Sequence, residues 1–293
     1  MRGSDPSLRS RLAAALIERA PPRSTLAACQ AIGAATRVPL PAGLSRAAVS
    51  AYTRWFGVDL ADVDPELLAR GFPSFDAFFT RQLRAGARPV DKQPGVLVSP
   101  CDGRLREVAE VEAQGVVVAK GHAYAIGELI GDPHLAERFV GGLQVVIYLH
   151  PRDYHRVHAP ISGVVPRVTQ IPGRLLPVND AGVAREPRLF AINERLVHVI
   201  DSDHGTVAVV MVAAFGVGHM SCSYRPVAPH PEREQTVELE PPPFVAKGDE
   251  LGIFHLGSTV VLLTEPGFVL AGSLGNDTRV EFGQALLCRE EVS

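Results

Sequence analysis

Residues 244–263 read FVAKGDELGIFHLGSTVVLL. Residues 244–256 have the pattern of a strand, a Lys-Gly-Asp turn and a second strand, and 260–263 is a further aliphatic, β-branched run. Gly257-Ser258-Thr259 is the polar corner that joins them. Working outward, the same texture fills the chain after Asp91. Residues 96–99, 116–119, 143–149, 164–168, 196–200 and 206–212 are alternating or β-branched runs punctuated by Gly, Pro and Asp. Residues 93–293 are therefore expected to form a β-rich domain, an antiparallel sandwich or barrel-like body.

Residues 1–92 read differently, as helices broken by proline. Residues 7–20 place Leu8, Leu12, Ala15 and Leu16 on one face, and Pro21-Pro22 end the run because proline cannot continue the hydrogen-bond ladder. Residues 26–35 and 45–56 give two more helices, the latter carrying Tyr52, Trp55 and Phe56 near its end. Ser74 reads as the N-cap of a fourth, running to Leu83. The expected fold class is thus α+β, a helical N-terminal layer beside a β-rich domain. Residues 1–60 hold eight arginines against three acidic residues, a formal +5 that leaves −8 on the rest of a chain of net charge −3. A basic, aliphatic layer on an acidic body suits an anionic membrane surface, and no aromatic or glycine-rich RNA motif accompanies the arginines to favour nucleic acid. No apolar stretch reaches the roughly 18 residues that span a bilayer. The expected location is peripheral, on the cytoplasmic face of the cell membrane. The four cysteines show no ligand spacing.

Three separated segments carry chemistry: SPCDGRL (99–105), YLHPRDYHRVHAP (148–160) and FHLGSTVVLL (254–263). Glycine before Ser258 lacks the Cβ that would resist a strained backbone, as attack of a serine hydroxyl on its own preceding carbonyl requires. Such an attack also needs a base and oxyanion donors, for which the Thr259 hydroxyl or nearby amides are candidates. His155 and His158, three apart between Pro151 and Pro160, are candidate bases. His150 makes a third histidine, but no Cys or HExxH pattern points to zinc, and no metal is expected. Asp102 stands in an Asp-Gly turn and is suited either to turn chemistry or to orienting an imidazole. The Lys247 turn has the look of a lipoyl-type β-sandwich, but swinging-arm lysines sit at a different kind of hairpin tip.

Together these segments resemble the bacterial phosphatidylserine decarboxylase proenzymes, through Pro100-Cys101-Asp102-Gly103, Asp153-Tyr154-His155-Arg156-Val157-His158 and Leu256-Gly257-Ser258-Thr259. FDAFFTRQL (75–83), RPVD (88–91), AKGHAY (119–124), LFAINER (189–195) and KGDELGIF (247–254) add to the resemblance in family order. It implies self-cleavage between Gly257 and Ser258 into fragments 1–257 and 258–293, which stay together as a heterodimer. Ser258 would become a pyruvoyl cofactor that decarboxylates phosphatidylserine to phosphatidylethanolamine through a Schiff base. It further implies that His158 activates Ser258, that Asp102 holds that histidine's tautomer, and that His155 acts later as the acid of decarboxylation. Where the family has a Val-Gly-Ser-Ile-like stretch, this chain has Val217-Gly218-His219-Met220. Rival readings are a Ser-His-Asp hydrolase, which lacks a GxSxG elbow here, and a non-catalytic peripheral lipid-binding protein. Further homo-oligomerisation is left open.

Overall fold

A computed structural model describes residues 8–119 and 122–290. Five helices come first: α1 (Leu8–Arg19), α2 (Pro22–Arg37), α3 (Ala42–Phe56), α4 (Pro65–Arg70) and α5 (Phe75–Phe79). Proline opens α2 and α4, where its missing N–H costs nothing. Gly57 closes α3 in the left-handed region at φ +68°. The helix expected over 74–83 is a single turn. Ser74 caps it by accepting from the Ala77 N–H at 3.1 Å, and the Thr80 hydroxyl ends it by donating to the Asp76 carbonyl. Ser7, the expected first residue of α1, lies outside the described residues.

The strands that frame the site are β1 (Gly103–Glu110), β2 (Leu143–Leu149), β3 (Arg156–His158), β4 (Gly205–Ala213), β5 (His219–Cys222), β6 (Glu250–His255) and β7 (Ser258–Thr264). Among the described residues, nine strands form one antiparallel sheet. Its order is Gln235–Glu238, Gly163–Ile171, Arg195–Ser202, β4, β7, β2, β1, Arg279–Val280, with Phe244–Val245 flanking Gly163–Ile171. β5, β6 and β3 make a small sheet in that order. The two strands around the Lys247 turn form as expected but do not pair with each other: Phe244–Val245 joins the large sheet and β6 the small one.

β7 is central and wholly buried. Ser258 opens it, opposite Leu149 of β2 on one side and Ala213 of β4 on the other. Both faces of the strand meet apolar layers, so it lacks the polar alternation of a half-exposed strand. Val260 and Leu262 join one core, Val261 and Leu263 the other. Val157, Met220, Leu251 and Phe254 of the small sheet share the core of Val260. The period-two pleat therefore turns Ser258 toward the space between the two sheets and Thr259 toward the opposite face.

The helices lean on this body. The Tyr52 hydroxyl of α3 donates to the Pro151 carbonyl at 3.0 Å, and the Gly216 N–H donates to the Cys29 sulfur of α2 at 3.3 Å. α2 approaches so closely that a Cβ on Gly33 would stand 2.5 Å from the Gly218 Cα. Gly103, beside Asp102, is similarly confined: a Cβ there would meet the Tyr148 carbonyl oxygen and Ile147 Cγ2, each at 2.7 Å. Because the oxygen belongs to the β1–β2 ladder, it cannot give way cheaply. Gly103→Ala is expected to cost about 1–3 kcal/mol and to lower Tm by roughly 3–10 °C in a thermal melt.

Candidate active site

Small local devices set each side chain of the site. β2 ends at Leu149, opposite Ser258, and the chain then turns through 150–155 into β3. The turn is pinned by Asp153, whose carboxylate accepts from the His150 N–H at 2.8 Å. His155 is fully buried against Phe79, ring centroids 4.1 Å apart. Its Nδ1 hydrogen-bonds the Asp153 carbonyl at 2.9 Å, which requires the N–H there. Nε2 is left as an unpartnered, buried lone pair. Burial, with the nearby Arg81 charge acting in the same direction, drives this imidazole down to about 3. It is neutral at pH 7.

His158 ends β3. Its Nδ1–H donates to the Gly248 carbonyl at 2.8 Å, and the Tyr154 hydroxyl donates to Nε2 at 3.1 Å. Phe282 stacks on it at 3.7 Å. Burial pushes this histidine down to about 4, so it too is neutral. The expected hydrogen bond from Asp102 to His158 is absent. Asp102 is 2% exposed and is held by Arg88, whose Nη2 and Nε donate to its two oxygens at 2.8 and 3.2 Å, and by the Phe282 N–H at 2.8 Å. A planar guanidinium fork matches a carboxylate better than one imidazole N–H, so Arg88 wins the contact. The Gly248 carbonyl, not Asp102, sets the His158 tautomer. Asp102 acts on that ring through space and through Phe282, which both binds Asp102 and covers His158.

Ser258 is 1% exposed, and its Oγ has no hydrogen-bond partner. Just upstream, Leu256 has φ +87° and Gly257 φ +32°. A leucine in the left-handed region is costly, and two such residues in succession mark a strained corner. The Thr259 hydroxyl is also buried without a partner. It lies on the other face of the strand, which removes it from the oxyanion donors considered for Ser258.

The structure thus joins Asp102 to His158 through Phe282, and leaves His155 Nε2 and Ser258 Oγ each buried without a partner. His150 is turned away, its Nδ1 accepting from the Arg152 N–H at 3.3 Å. Arg88, Tyr154 and Phe282 were missed from the sequence; RPVD and DYHRVH contain the first two, with nothing to mark them as partners. His219 stacks on His255 at 3.8 Å, and His255 Nδ1 reaches Asp76 at 2.9 Å. Burial first, then the neighbouring His255, pushes His219 down to about 4. The departure from the family pattern therefore borders the strand that leads into the Leu256-Gly257 corner.

Comparison with known proteins places these residues in a family. A sequence model described as phosphatidylserine decarboxylase matches residues 75–288. A phosphatidylserine decarboxylase proenzyme of Myxococcus xanthus is 42% identical over 246 residues, 84% of this chain and 86% of its own. The proteins of the same name from Anaeromyxobacter sp. (42% over 265 residues, 88% and 92% covered) and Pseudomonas fluorescens (40% over 248 residues, 81% and 86% covered) are similar over nearly the same span. With the buried serine after a strained Leu-Gly corner, the match along most of the chain leads to one conclusion: this protein belongs to the phosphatidylserine decarboxylase family.

Proposed function

We propose that the chain is a self-processing, pyruvoyl-dependent decarboxylase that converts phosphatidylserine to phosphatidylethanolamine and CO2. The observation that carries this reading is the unpartnered, buried Ser258 hydroxyl directly after two residues of positive φ. Attack of Oγ on the Gly257 carbonyl relieves the corner and gives an ester, with the hydroxyl proton passing to a neutral imidazole. His158 is assigned that role, which requires its Nε2 to leave the Tyr154 hydroxyl. Loss of the Ser258 α-proton then expels the Gly257 carboxylate by β-elimination. Tautomerisation and addition of water release ammonia and leave the pyruvoyl end. The local residues fit such a group: Ser258 is in place, and its pocket is closed to solvent.

Once formed, the group supplies an electrophilic carbonyl for the substrate amine and an electron sink for loss of CO2. The chain supplies the rest. β7 remains paired on both sides and fixes that carbonyl in space. The apolar layer around Val260 and Phe254 excludes water. His155 is assigned the proton transfer to the substrate carbon, for which its unpartnered Nε2 is the available atom.

Among the described residues, no helix is long and apolar enough to cross a membrane. Leu12 and Leu16 of α1 are 57% and 72% exposed, and Leu44 and Trp55 of α3 are 61% and 84% exposed. Tyr52 and Phe56 instead pack inward. An outward apolar set on an arginine-rich layer supports peripheral docking on the cytoplasmic face of an anionic membrane.

Three outcomes are expected. Intact-mass spectrometry of the wild type resolves two fragments split at Gly257/Ser258, the smaller bearing a pyruvoyl end, while Ser258→Ala stays whole and inactive; an intact but active wild type would overturn the proposal and favour the hydrolase. His158→Ala slows cutting at least about 100-fold, whereas His155→Ala still cuts and loses decarboxylation by a similar factor. The triple variant Leu12→Ser, Leu16→Ser, Trp55→Ser loses most binding to phosphatidylglycerol-containing vesicles in a flotation assay, and unchanged flotation would remove these helices as the anchor.

A further inference from the structure

A buried guanidinium with no carboxylate hydrogen-bonded to it lies near the histidines. Arg81 follows α5 and is only 5% exposed. Its Nε has no hydrogen-bond partner, and its Nη2 reaches the Arg152 carbonyl at 3.3 Å. Burial pulls its pKa down, although Asp102 and Asp153 are near enough to feel its charge. Those two carboxylates are already engaged, Asp102 by Arg88 and Asp153 by the His150 N–H and Arg279. Leaving a buried cation so poorly paired is costly unless something else completes it.

Arg81 lines a polar cavity of about 340 Å³, together with Tyr154, Arg152 and Arg279. The other acidic residues on its wall have partners too. Asp62 is bound by Arg88 at 2.5 Å, Asp59 accepts from the Ala61 N–H at 2.9 Å, and Glu281 stands 3.8 Å from Arg88. Arg152 is 42% exposed on its side chain, with the Asp153 carboxylate no nearer than 3.9 Å. Among the described residues, Arg81 is thus the guanidinium on this wall with no carboxylate hydrogen-bonded to it, and Arg152 is only loosely paired. Two residues of its wall touch the histidines: the Tyr154 hydroxyl donates to His158 at 3.1 Å, and the Asp153 carbonyl accepts from His155 at 2.9 Å. The 150–155 turn that carries Arg152 and Tyr154 leaves β2 opposite Ser258, and the Arg81 charge is felt by His155.

We propose that this cavity is the anion subsite for the lipid head group, with Arg81 and Arg152 holding its phosphodiester while the amine is presented at Ser258. The assignment rests on the decarboxylase reading above. The head group carries two anions, and their chemistry separates them. A cation on the carboxylate would stabilise the charge that must be lost as CO2, favouring the ground state over the transition state. The phosphate keeps its charge throughout, so a fixed guanidinium there binds without opposing the reaction.

The test uses the mature protein, incubated with either glycerophosphoserine or phosphate-free O-methylserine and reduced with borohydride, the amine adduct at the new N-terminus being quantified by mass. Arg81→Gln is expected to raise the half-saturating concentration of glycerophosphoserine roughly 10- to 100-fold and to leave that of O-methylserine unchanged. Arg81→Lys should fall between. Equal losses for both probes, or no loss for either, would overturn the subsite. Self-cutting of each variant reports that it folds. Should Arg81 variants fail to cut, wild-type protein decides: inorganic phosphate must compete with glycerophosphoserine and spare O-methylserine. Phosphate that competes with neither refutes the proposal. So does wild-type protein that shows no preference for the phosphorylated probe, which would assign the cavity to free phosphate. If the wild type traps neither probe, the decarboxylase reading fails; calorimetric titration of full-length Ser258→Ala with glycerophosphoserine and O-methylserine then decides the subsite, binding of the former alone upholding it and any other result rejecting it.

Discussion

The joint between two sheets governs this molecule. β6 is held in the small sheet up to His255, whose carbonyl accepts from the Gly218 N–H at 2.7 Å and whose ring is tied to Asp76. β7 is held in the large sheet from its first residue. Only Leu256 and Gly257 remain to turn the chain from one sheet into the other, and both do so with positive φ. Strain of this kind persists only where the surroundings over-determine the backbone. Here both flanking strands supply that constraint, and the stressed peptide is the one that precedes the buried serine.

Charge is organised around the same joint. Arg88 spans Asp62, just before α4, and Asp102, just before β1. Asp102 in turn receives the Phe282 N–H, and Phe282 covers His158. The helical layer is therefore connected to the histidine by a continuous run of short contacts. Its further attachments, Tyr52 to Pro151 and Gly33 against Gly218, meet the chain shortly after the ends of Ser258's two neighbouring strands. A layer suited to lipid on its outer face is bound on its inner face to the segments that shape the site.

Local chemistry made much of this legible in the sequence. The aliphatic run after Ser258 has the composition of a central strand, and Pro21-Pro22 separate the first two helices as expected, although α2 starts at Pro22 and not at residue 26. Histidines at 155 and 158 stand out because imidazoles three apart between prolines are conspicuous. What stayed hidden was pairing across distance. Nothing in the order of residues says that Arg88 takes Asp102 from His158, since that depends on where residues 62, 88 and 282 meet in space. The same limit applies to Trp55 and Phe56, neighbours in one helix that face opposite media. Thr259, one of the oxyanion candidates alongside nearby amides, is a different case: the strand begins two residues earlier than expected, and the pleat turns the hydroxyl to the other face.

The place of β7 in the middle of the large sheet bears on how this architecture is reached at all. Its seven residues pair with β4, and six of them with β2. While the chain is continuous, that strand is delivered by a short tether from β6, and closing the sheet is a first-order event. Were the tether cut as proposed, the same strand would be a separate peptide. A denatured mixture of the two pieces would then rely on second-order encounter, with an entropic penalty that dilution increases. The uncut polypeptide therefore serves as its own assembly template, and folding has to precede the chemistry that makes the pieces separable.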